Sequence, residues 1–296
     1  MSPQEECERF KAALRPLFQA FIAFCEEHHL KWYCAYGTAI GVARHHGFIP
    51  WDDDIDVFMP REDYNRFLAL KTCLKDSGYE ILDWNDKGYY LNFAKFCDSN
   101  TTLLEREYVR PMGIYIDVFA LDYYDEHHCH FLKIHNTLYR YLWLVYGHGI
   151  RNHSWGEFVR LWKGKNYSSI ALAVFDTCLM KPCSYISKLF LNWYDKKLST
   201  APKTNKYWRY DVVEIWSKKI YDVDWFAEGV LMPFEDFVVN MPKDYDAFLS
   251  IQFGDYMTPP PVEKQVSNHN HLLVDFDKRL TKKEIAEKLQ NKDHVC

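Results

Sequence analysis

The stretch Gly47-Phe-Ile-Pro-Trp-Asp52-Asp53-Asp54-Ile55-Asp56-Val57 places four carboxylates within five positions, between apolar neighbours. We predict a strand from Asp54 to Met59, in which Asp54 and Asp56 share one face with Cα atoms roughly 6–7 Å apart. At an effective dielectric near 20, two such charges repel by about 2–3 kcal/mol. A solvated acidic turn is the alternative, but the apolar flanks favour a bound cation. Oxygen ligands without neighbouring His or Cys favour Mg²⁺ or Mn²⁺ over zinc.

A second acid with similar flanks lies in Gly113-Ile-Tyr-Ile-Asp117-Val-Phe-Ala-Leu-Asp122. We predict a strand over residues 113–120, where a lone charge is costly unless it is paired or bound to a metal. On a strand beside the first one, Asp117 completes a metal site with three carboxylates. An acid on an edge strand that faces water is the competing interpretation.

The turn Gly37-Thr38 precedes the acidic stretch and predicts a phosphate site. A strand that ends in Gly, followed by a hydroxyl residue at a helix start, exposes backbone N–H groups. Arg44 is a candidate phosphate clamp, with a surface ion pair as the alternative, and His45 beside it is a candidate support for the site. Lys95 is another candidate phosphate contact, and its alternative is a lysine tip that reaches water from a sheet edge.

The order of elements predicts an α+β fold, with a small mixed sheet flanked by helices and a helical, aromatic second half. Helices are predicted over residues 4–29, 37–44 and after Pro60, strands over 31–36, 54–59, 79–84, 90–97 and 113–120, and mostly helix over 126–200. Thr281 and Glu284 have the spacing of a capping box at the start of a last helix. We expect a catalytic core over residues 1–125 and a second part over 126–296, with one continuous domain as the alternative.

The composition excludes several classes of protein. The chain has 296 residues, of which 48% are hydrophobic and 26% charged, and this balance excludes a mainly disordered protein. Its formal charge of -5 does not support a nucleic-acid partner. The apolar stretches are too short to span a membrane, the acidic start lacks the features of a signal peptide, and the nine scattered cysteines indicate reduced thiols. We therefore expect a cytoplasmic protein, or one at the inner face of the membrane.

Two clusters in the helical half each allow two interpretations. The segment from His127 to His135 has the content of a zinc site, but it lacks a second ligand pair at strict spacing, so an exposed helix start is favoured. The aromatic stretch Tyr139-Arg-Tyr-Leu-Trp-Leu-Val-Tyr146 suggests peripheral membrane contact, and a buried helix is the favoured alternative.

The segment Tyr36-Gly-Thr-Ala-Ile-Gly-Val-Ala-Arg-His-His-Gly-Phe-Ile-Pro-Trp-Asp-Asp-Asp-Ile-Asp56, followed by Met59-Pro-Arg-Glu-Asp-Tyr64, resembles the LicD family of phosphotransferases, to which the fukutin-related proteins are distantly related. The strand around Asp117 and the late Tyr245–Pro260 segment agree with this resemblance. It implies a nucleotidyltransferase-like fold and a reaction that depends on a divalent metal. It also implies that Asp54 and Asp56 are the metal pair, that Asp117 is the third acid, and that Gly37 and Thr38 form the family's glycine-plus-hydroxyl turn.

The resemblance further implies a donor linked to CDP, with CDP-choline favoured, and a glycan or lipid-linked glycan as acceptor. We expect transfer of phosphocholine to a hydroxyl of a cell-surface glycan, such as lipopolysaccharide or teichoic acid, with release of CMP. Asp117 binds the metal or takes the hydroxyl proton, while Asp52 supports the metal ligands or acts as the base. The alternatives are a nucleotidyltransferase that attacks the α-phosphate of a nucleoside triphosphate, and a transferase that uses CDP-ribitol or CDP-glycerol. The second part of the chain is expected to contribute the pocket for acceptor or head group.

Overall fold

A computed structural model describes residues 3–105, 110–151, 153, 155–209, 219–266 and 271–292. The strands are β1 (Tyr33–Cys34), β2 (Asp56–Pro60), β3 (Tyr79–Leu82), β4 (Ala94–Asp98), β5 (Thr102–Leu104), β6 (Tyr115–Tyr123), β7 (Lys206–Trp208), β8 (Ile220–Asp222), β9 (Gly229–Phe234), β10 (Phe237–Pro242) and β11 (Leu273–Asp275). The helices are α1 (Pro3–Glu27), α2 (Tyr36–Ile40), α3 (Arg61–Ala69), α4 (Glu126–Gly149), α5 (Trp155–Lys163), α6 (Tyr167–Phe175), α7 (Lys181–Ser199), α8 (Tyr245–Phe253) and α9 (Lys282–Lys292). Short π-helical turns cover Gly41–His45 and Asp176–Met180.

The central sheet has the strand order β1–β2–β6–β4–β3, and β7 and β8 extend it beyond the end of β6. Strands β2 and β6 are parallel, whereas the other neighbouring strands of this sheet are antiparallel. Two separate antiparallel pairs are formed by β9 with β10 and by β5 with β11. The predicted α+β class, with a small mixed sheet flanked by helices, is confirmed.

Helix α1 covers one face of the sheet with an apolar stripe. Leu14, Phe18 and Phe21 recur at helical spacing, and all three are buried. The ring of Phe21 lies 5.6 Å from the ring of Phe96 on β4. The predicted helix over residues 4–29 is therefore confirmed, and its burial against the sheet explains why the sequence keeps that stripe apolar.

Side chains from the second half of the chain complete the core around this sheet. Tyr207, Tyr221, Phe226, Phe234, Met241 and Phe248 pack in the same buried cluster as Val57 and Val118. The division into residues 1–125 and 126–296, and its alternative of one continuous domain, both stay predictions.

Helices α4 to α7 confirm the predicted helical segment. Helix α4 packs against α7, where the rings of Tyr139 and Tyr194 lie 4.5 Å apart in a second buried cluster. Tyr146 is also buried there, so part of the aromatic stretch that begins at Tyr139 is core, whereas Tyr141 is 65% exposed. None of the described helices is long and apolar enough to cross a membrane.

Some predicted strands differ from the observed ones. The strand predicted from Asp54 starts only at Asp56, and the strand predicted over residues 31–36 is reduced to β1. The second difference arises because Tyr36 has a φ of 42°, which turns the chain into α2. Strands β5 and β7 to β11 were not predicted, since short strands that pair with distant segments carry little periodic signal.

The predicted capping box at the last helix is confirmed. The Thr281 N–H donates to Glu284 Oε2 at 2.8 Å, and the Glu284 N–H donates to Thr281 Oγ1 at 3.3 Å. The Lys278 ammonium and the hydrogen bonds from Thr281 lower the pKa of Glu284 to about 2. The helix thus begins where the sequence spacing placed it.

A buried ion pair joins the start of α3 to the end of β6. Arg61 Nε donates to Asp122 Oδ1 at 2.6 Å, and Nη2 donates to Oδ2 at 2.9 Å. Burial alone lowers the pKa of the Arg61 guanidinium, but the Asp122 carboxylate outweighs that effect and raises it. The pair fixes helix α3, which directly follows the acidic strand, against the middle of the sheet.

We predict that Asp122→Ala lowers the free energy of unfolding by about 3–5 kcal/mol, because the buried Arg61 guanidinium loses both hydrogen bonds and keeps only the Asp195 carboxylate at 3.7 Å. Urea unfolding followed by circular dichroism measures the change. Lys203→Ala, which removes an exposed ion pair with Glu62, is the matched control and leaves the midpoint unchanged. A loss below about 1 kcal/mol in Asp122→Ala contradicts a stabilising role for the pair.

Candidate active site

Three adjacent strands bring two carboxylates and one ammonium into a row on the same sheet face. Asp56 on β2 is the register partner of Asp117 on the parallel strand β6. Lys95 on β4 is the register partner of Asp117 on the other side. Register partners have side chains on the same face of a sheet, with Cα atoms roughly 5 Å apart. We call Asp56, Asp117 and Lys95 the charged row.

Lys95 is the cation of the charged row. Its Nζ donates to Asp117 Oδ1 at 2.6 Å and lies 3.1 Å from the centroid of the Tyr115 ring. The residue is 1% exposed, and β4 lies between β3 and β6. The interpretation of Lys95 as a lysine that reaches water from a sheet edge is therefore wrong, and its role as a phosphate contact stays a prediction.

Asp117 also lies inside the sheet. Strand β6 is flanked by β2 and β4, and the Asp117 side chain is 14% exposed. The interpretation of this residue as an edge-strand acid that faces water is wrong. The sequence predicted that a charge at this position needs a partner. That partner is Lys95, which was predicted to contact phosphate instead.

Asp56 has a strongly perturbed carboxyl group. The pKa of Asp56 lies well above its ordinary value. Burial is the largest cause, and the carboxylates of Asp54, Asp117 and Asp52 raise the pKa further. The Lys95 ammonium acts in the opposite direction but does not compensate. The negative charge of the acidic stretch therefore exceeds the positive charge that the neighbouring side chains provide.

The Gly37-Thr38 turn is fastened to the acidic stretch in two ways. Thr38 Oγ1 accepts a hydrogen bond from the Asp56 backbone N–H at 2.8 Å. A Cβ atom on Gly37 would lie 2.5 Å from Asp52 Oδ2, so any other residue there would displace that carboxylate. The turn and the acids that the sequence placed near each other are thus in contact, whereas the binding of phosphate by Gly37 and Thr38 stays a prediction.

The residue before this turn is held by aromatic packing. Tyr36 adopts a positive φ, which is uncommon for a residue other than glycine and is costly unless its surroundings enforce it. Its ring lies 5.0 Å from the ring of Phe58 on β2 and 5.3 Å from that of Phe119 on β6. Both phenylalanines share the sheet face of the charged row, so the same face fixes the turn and carries the acids.

Arg44 and His45 connect the π-helical turn after α2 to the segment that follows α8. Arg44 Nη1 donates to the Tyr256 carbonyl oxygen at 2.7 Å, and Arg44 Nε donates to His45 Nε2 at 2.9 Å. Burial and the charge of Arg44 lower the pKa of His45, which favours the neutral ring. The phosphate role of Arg44 and the supporting role of His45 stay predictions.

The donor set fits a hard divalent cation. Asp52, Asp54, Asp56 and Asp117 supply only carboxylate oxygens, and the first two together with Asp117 raise the pKa of Asp56, whereas the Lys95 ammonium lowers it. Mg²⁺ and Mn²⁺ take such ligands and relieve such a charge excess. Within the residue ranges given above, no three His, Cys, Asp or Glu side chains are arranged to hold a metal ion together. A metal site with three carboxylates, Asp117 included, therefore stays a prediction.

The predicted alternative for the His127–His135 segment agrees with the side chains that are described there. His127 and His130 are exposed at the start of α4, while Cys129 is buried against the second cluster. The two histidines and the thiol thus lie in different surroundings, and the survey of the described residues finds no metal-binding group here either.

A cavity of about 290 Å³ lies between α3, α7 and the end of β6. Its lining includes Trp84, Asn85, Asn92, Asn192, Asp195 and Arg209, together with the Arg61–Asp122 pair. Sequence reasoning missed this cavity. These side chains come from distant parts of the chain and form no motif, so no local pattern brings them together.

Phe93 separates the cavity from the charged row. The Lys95 Nζ lies 5.4 Å from the centroid of the Phe93 ring, and the Arg209 guanidinium carbon lies 6.0 Å from it. Arg209 also stacks over Phe119, at 4.4 Å. Its Nε is buried and has no hydrogen-bond partner among the described residues. Arg209 thus reaches the sheet face of the charged row, whereas Ala120 and Asp122, which alternate with Phe119 along β6, line the cavity from the opposite face.

Comparison with known proteins agrees with the motif. Residues 29–161 match the nucleotidyltransferase domain described as LicD/FKTN/FKRP. The chain is similar to the lipopolysaccharide cholinephosphotransferase LicD of Haemophilus influenzae, with 26% identity over 258 residues, which cover 84% of this chain and 90% of that protein. An uncharacterized protein of Rickettsia typhi is 28% identical over 107 residues, which cover 36% of this chain and 33% of that protein. The predicted resemblance to the LicD family is confirmed.

We predict that Asp56→Asn stabilises the protein in EDTA near neutral pH, because the amide carries no charge at a place where burial and the neighbouring carboxylates oppose one. Because the pKa of Asp56 is raised in the folded state, the folded protein keeps a proton that the unfolded chain releases near pH 3.8. The contribution of Asp56 to the free energy of unfolding is therefore fully present below that pH. It is lost as the pH rises through the raised pKa.

Urea unfolding of wild type and variant, measured in EDTA at several pH values, isolates the effect as the difference between the two proteins. That difference should grow with pH in favour of Asp56→Asn. Asp277→Asn, at an exposed acid, is the control and should follow the wild type. An Asp56→Asn protein that is less stable than wild type at every pH contradicts this electrostatic account.

Proposed function

We propose that this chain, whose residues 29–161 form a LicD-type domain, transfers a substituted phosphate group to a glycan. The group we propose is phosphocholine, the donor CDP-choline and the acceptor a hydroxyl of lipopolysaccharide or its precursor. The similarity to the H. influenzae enzyme supports that choice. The observation that carries the proposal is the excess of carboxylate charge around Asp56, next to a glycine turn on the same sheet face.

Asp54 and Asp56 would hold a Mg²⁺ or Mn²⁺ ion. A bound divalent cation supplies neutralisation of the charge on the diphosphate of the donor. The burial of Asp56 supports this assignment, because a group in that environment gains most from a compensating cation. The chain itself would have one task at this position, which is to hold the two carboxyl groups where a cation can replace the proton on Asp56.

Lys95 and Asp52 would have separate tasks. Lys95 would hold the Asp117 carboxylate in place through the hydrogen bond of 2.6 Å. An acid with an ammonium on one oxygen is a poor proton acceptor, so we assign the base to Asp52, which is half-exposed beside the Gly37 turn.

The proposed reaction balances in one step. The acceptor hydroxyl oxygen forms a bond to the phosphorus that carries choline, and the bond from that phosphorus to the bridging oxygen breaks. CMP leaves with the electron pair of that bond, and the hydroxyl proton passes to Asp52. The phosphodiester of choline and the glycan is the second product.

The cavity beside Phe93 would receive the acceptor sugar. Three amides, Asn85, Asn92 and Asn192, line it with Asp195 and Trp84, which together provide donors, acceptors and a flat ring. Sugar hydroxyls need groups of this kind, since each hydroxyl both donates and accepts hydrogen bonds.

Two other reactions suit the same acids. A nucleotidyltransferase would attack the α-phosphate of a nucleoside triphosphate and release pyrophosphate, and a related transferase would use CDP-ribitol or CDP-glycerol. The released product separates the first from our proposal, and a panel of CDP-alcohols separates the second.

We predict that the purified chain releases CMP from CDP-choline with Mg²⁺ or Mn²⁺ and a lipopolysaccharide acceptor, and that EDTA abolishes this release. Asp54→Asn and Asp56→Asn should each lose at least about a hundredfold in rate, because the charge that compensates the metal is gone. Asp277→Asn is the control with wild-type activity. CMP release by Asp56→Asn at the wild-type rate would refute the metal assignment, and release of pyrophosphate from a triphosphate would favour the alternative reaction.

We predict that Asn192→Leu raises the KM for the acceptor about tenfold, which corresponds to about 1.4 kcal/mol, and leaves the KM for CDP-choline unchanged. The amide carbonyl of Asn192 accepts a hydrogen bond from Trp84, so its loss frees the ring as well as removing a polar contact. Asn65→Leu on the exposed side of α3 is the control. An equal change in both KM values argues against an acceptor site in this cavity.

A further inference from the structure

Helices α5 and α6 carry an apolar patch that faces solvent. Trp155, Val159 and Trp162 recur at positions i, i+4 and i+7 of α5, and the two tryptophans are 81% and 66% exposed. Tyr167 at the start of α6 contacts the Trp162 ring, at 6.0 Å between centroids, and is itself 60% exposed. We call Trp155, Val159, Trp162 and Tyr167 the tryptophan patch.

Helix α5 differs from an ordinary surface helix because its largest apolar side chains face solvent. Phe158 and Leu161 are half-buried against the protein, yet the tryptophan patch points outward, and none of the α5 residues is fully buried. A surface helix of a soluble domain buries its widest apolar stripe instead. Exposed patches of this size and aromatic content mark surfaces that bind something.

The acidic groups of this region are turned inward. Asp176 is buried, and it contacts His148 at 2.8 Å, His153 at 3.1 Å and Arg151 at 3.2 Å. His153 also contacts Glu157 at 3.2 Å. These contacts tie the start of α5 to α4 and to the π-helical turn after α6, so the patch is presented from a fixed base.

The helical segment that carries the patch has an excess of basic residues. Residues 131–200 contain ten Lys and Arg but only three Asp and Glu, whereas the whole chain has a formal charge of -5. Lys163 and Lys165 follow the patch directly and are exposed. Aromatic residues beside lysines match the interface of an anionic lipid bilayer, where rings sit at the headgroup level and the cations meet lipid phosphates.

We propose that the tryptophan patch docks this protein on an anionic phospholipid surface. Helix α5 has nine residues, and at 1.5 Å per residue it is too short to cross a bilayer. In our proposal it lies along the surface. Helix α7 also has large apolar side chains that face solvent, since Tyr185, Ile186 and Leu189 are each 71% exposed. This surface is separate from the charged row and the cavity, so the proposal does not depend on the reaction.

Flotation of the full chain with phospholipid vesicles tests the proposal. We expect binding to vesicles of phosphatidylcholine with about one-third phosphatidylglycerol, and weaker binding to phosphatidylcholine alone. Trp155→Ser with Trp162→Ser should reduce the bound fraction at least about tenfold. Leu231→Ser with Val238→Ser, at residues 68% and 52% exposed on the β9–β10 hairpin, is the matched control and should bind as wild type.

A charge variant keeps the test independent of the fold of the tryptophan variant. Lys163→Glu with Lys165→Glu should remove the preference for anionic vesicles, and added salt should weaken binding of the wild type. Full binding by the tryptophan variant, or no binding of the wild type to either vesicle, overturns the proposal. A wild-type dimer that the tryptophan variant abolishes, without vesicle binding, overturns it too and assigns the patch to a second copy of the chain.

Discussion

The register between β2, β6 and β4 is the constraint on which the rest of this site depends. It places Asp56, Asp117 and Lys95 side by side on one buried face, with a single ammonium beside several carboxylates. A shift of one residue in either pairing would move a charge to the opposite face, where α1 packs its aromatic side chains. The fold therefore cannot keep its core and lose the charged row.

The neighbouring elements maintain this arrangement from both sides. Thr38 binds the backbone of Asp56, and Gly37 leaves room for Asp52, so the turn before the acids is fitted to them. On the other side, the Arg61–Asp122 pair fixes α3 to β6 and forms one wall of the cavity. Burial that raises the pKa of Asp56 costs free energy in the absence of a cation, and such a cost is typical of sites built to bind one.

The sequence predicted the parts of this site that lie close together in the chain. The alternation around Asp54 and Asp56, the turn at Gly37 and the motif up to Tyr64 were sufficient to indicate the α+β fold and the LicD resemblance. Lys95 was recognised as unusual, but its partner Asp117 is 22 residues away and their pairing requires the sheet order. The cavity was not predictable in this way, because Asp122, Asn192 and Arg209 meet only through tertiary packing.

The strands of the second half were missed for a related reason. Strands β7 and β8 have three residues each and exist because β6 continues far enough to pair with β7. Trp155 and Trp162 belong to the segment over 126–200 that was predicted to be mostly helical, without a prediction of which side faces the core. Whether a tryptophan on a short amphipathic helix faces inward or outward is decided by its neighbours, and here the half-buried Phe158 and Leu161 take the inner side.

Titration of Mn²⁺ into the metal-free protein, followed by calorimetry near neutral pH, tests the central claim most directly. The account predicts one bound ion per chain in the wild type, and binding at least about tenfold weaker in Asp54→Asn and in Asp56→Asn. Binding of equal affinity in wild type and both variants would contradict a cation site built on these two carboxylates.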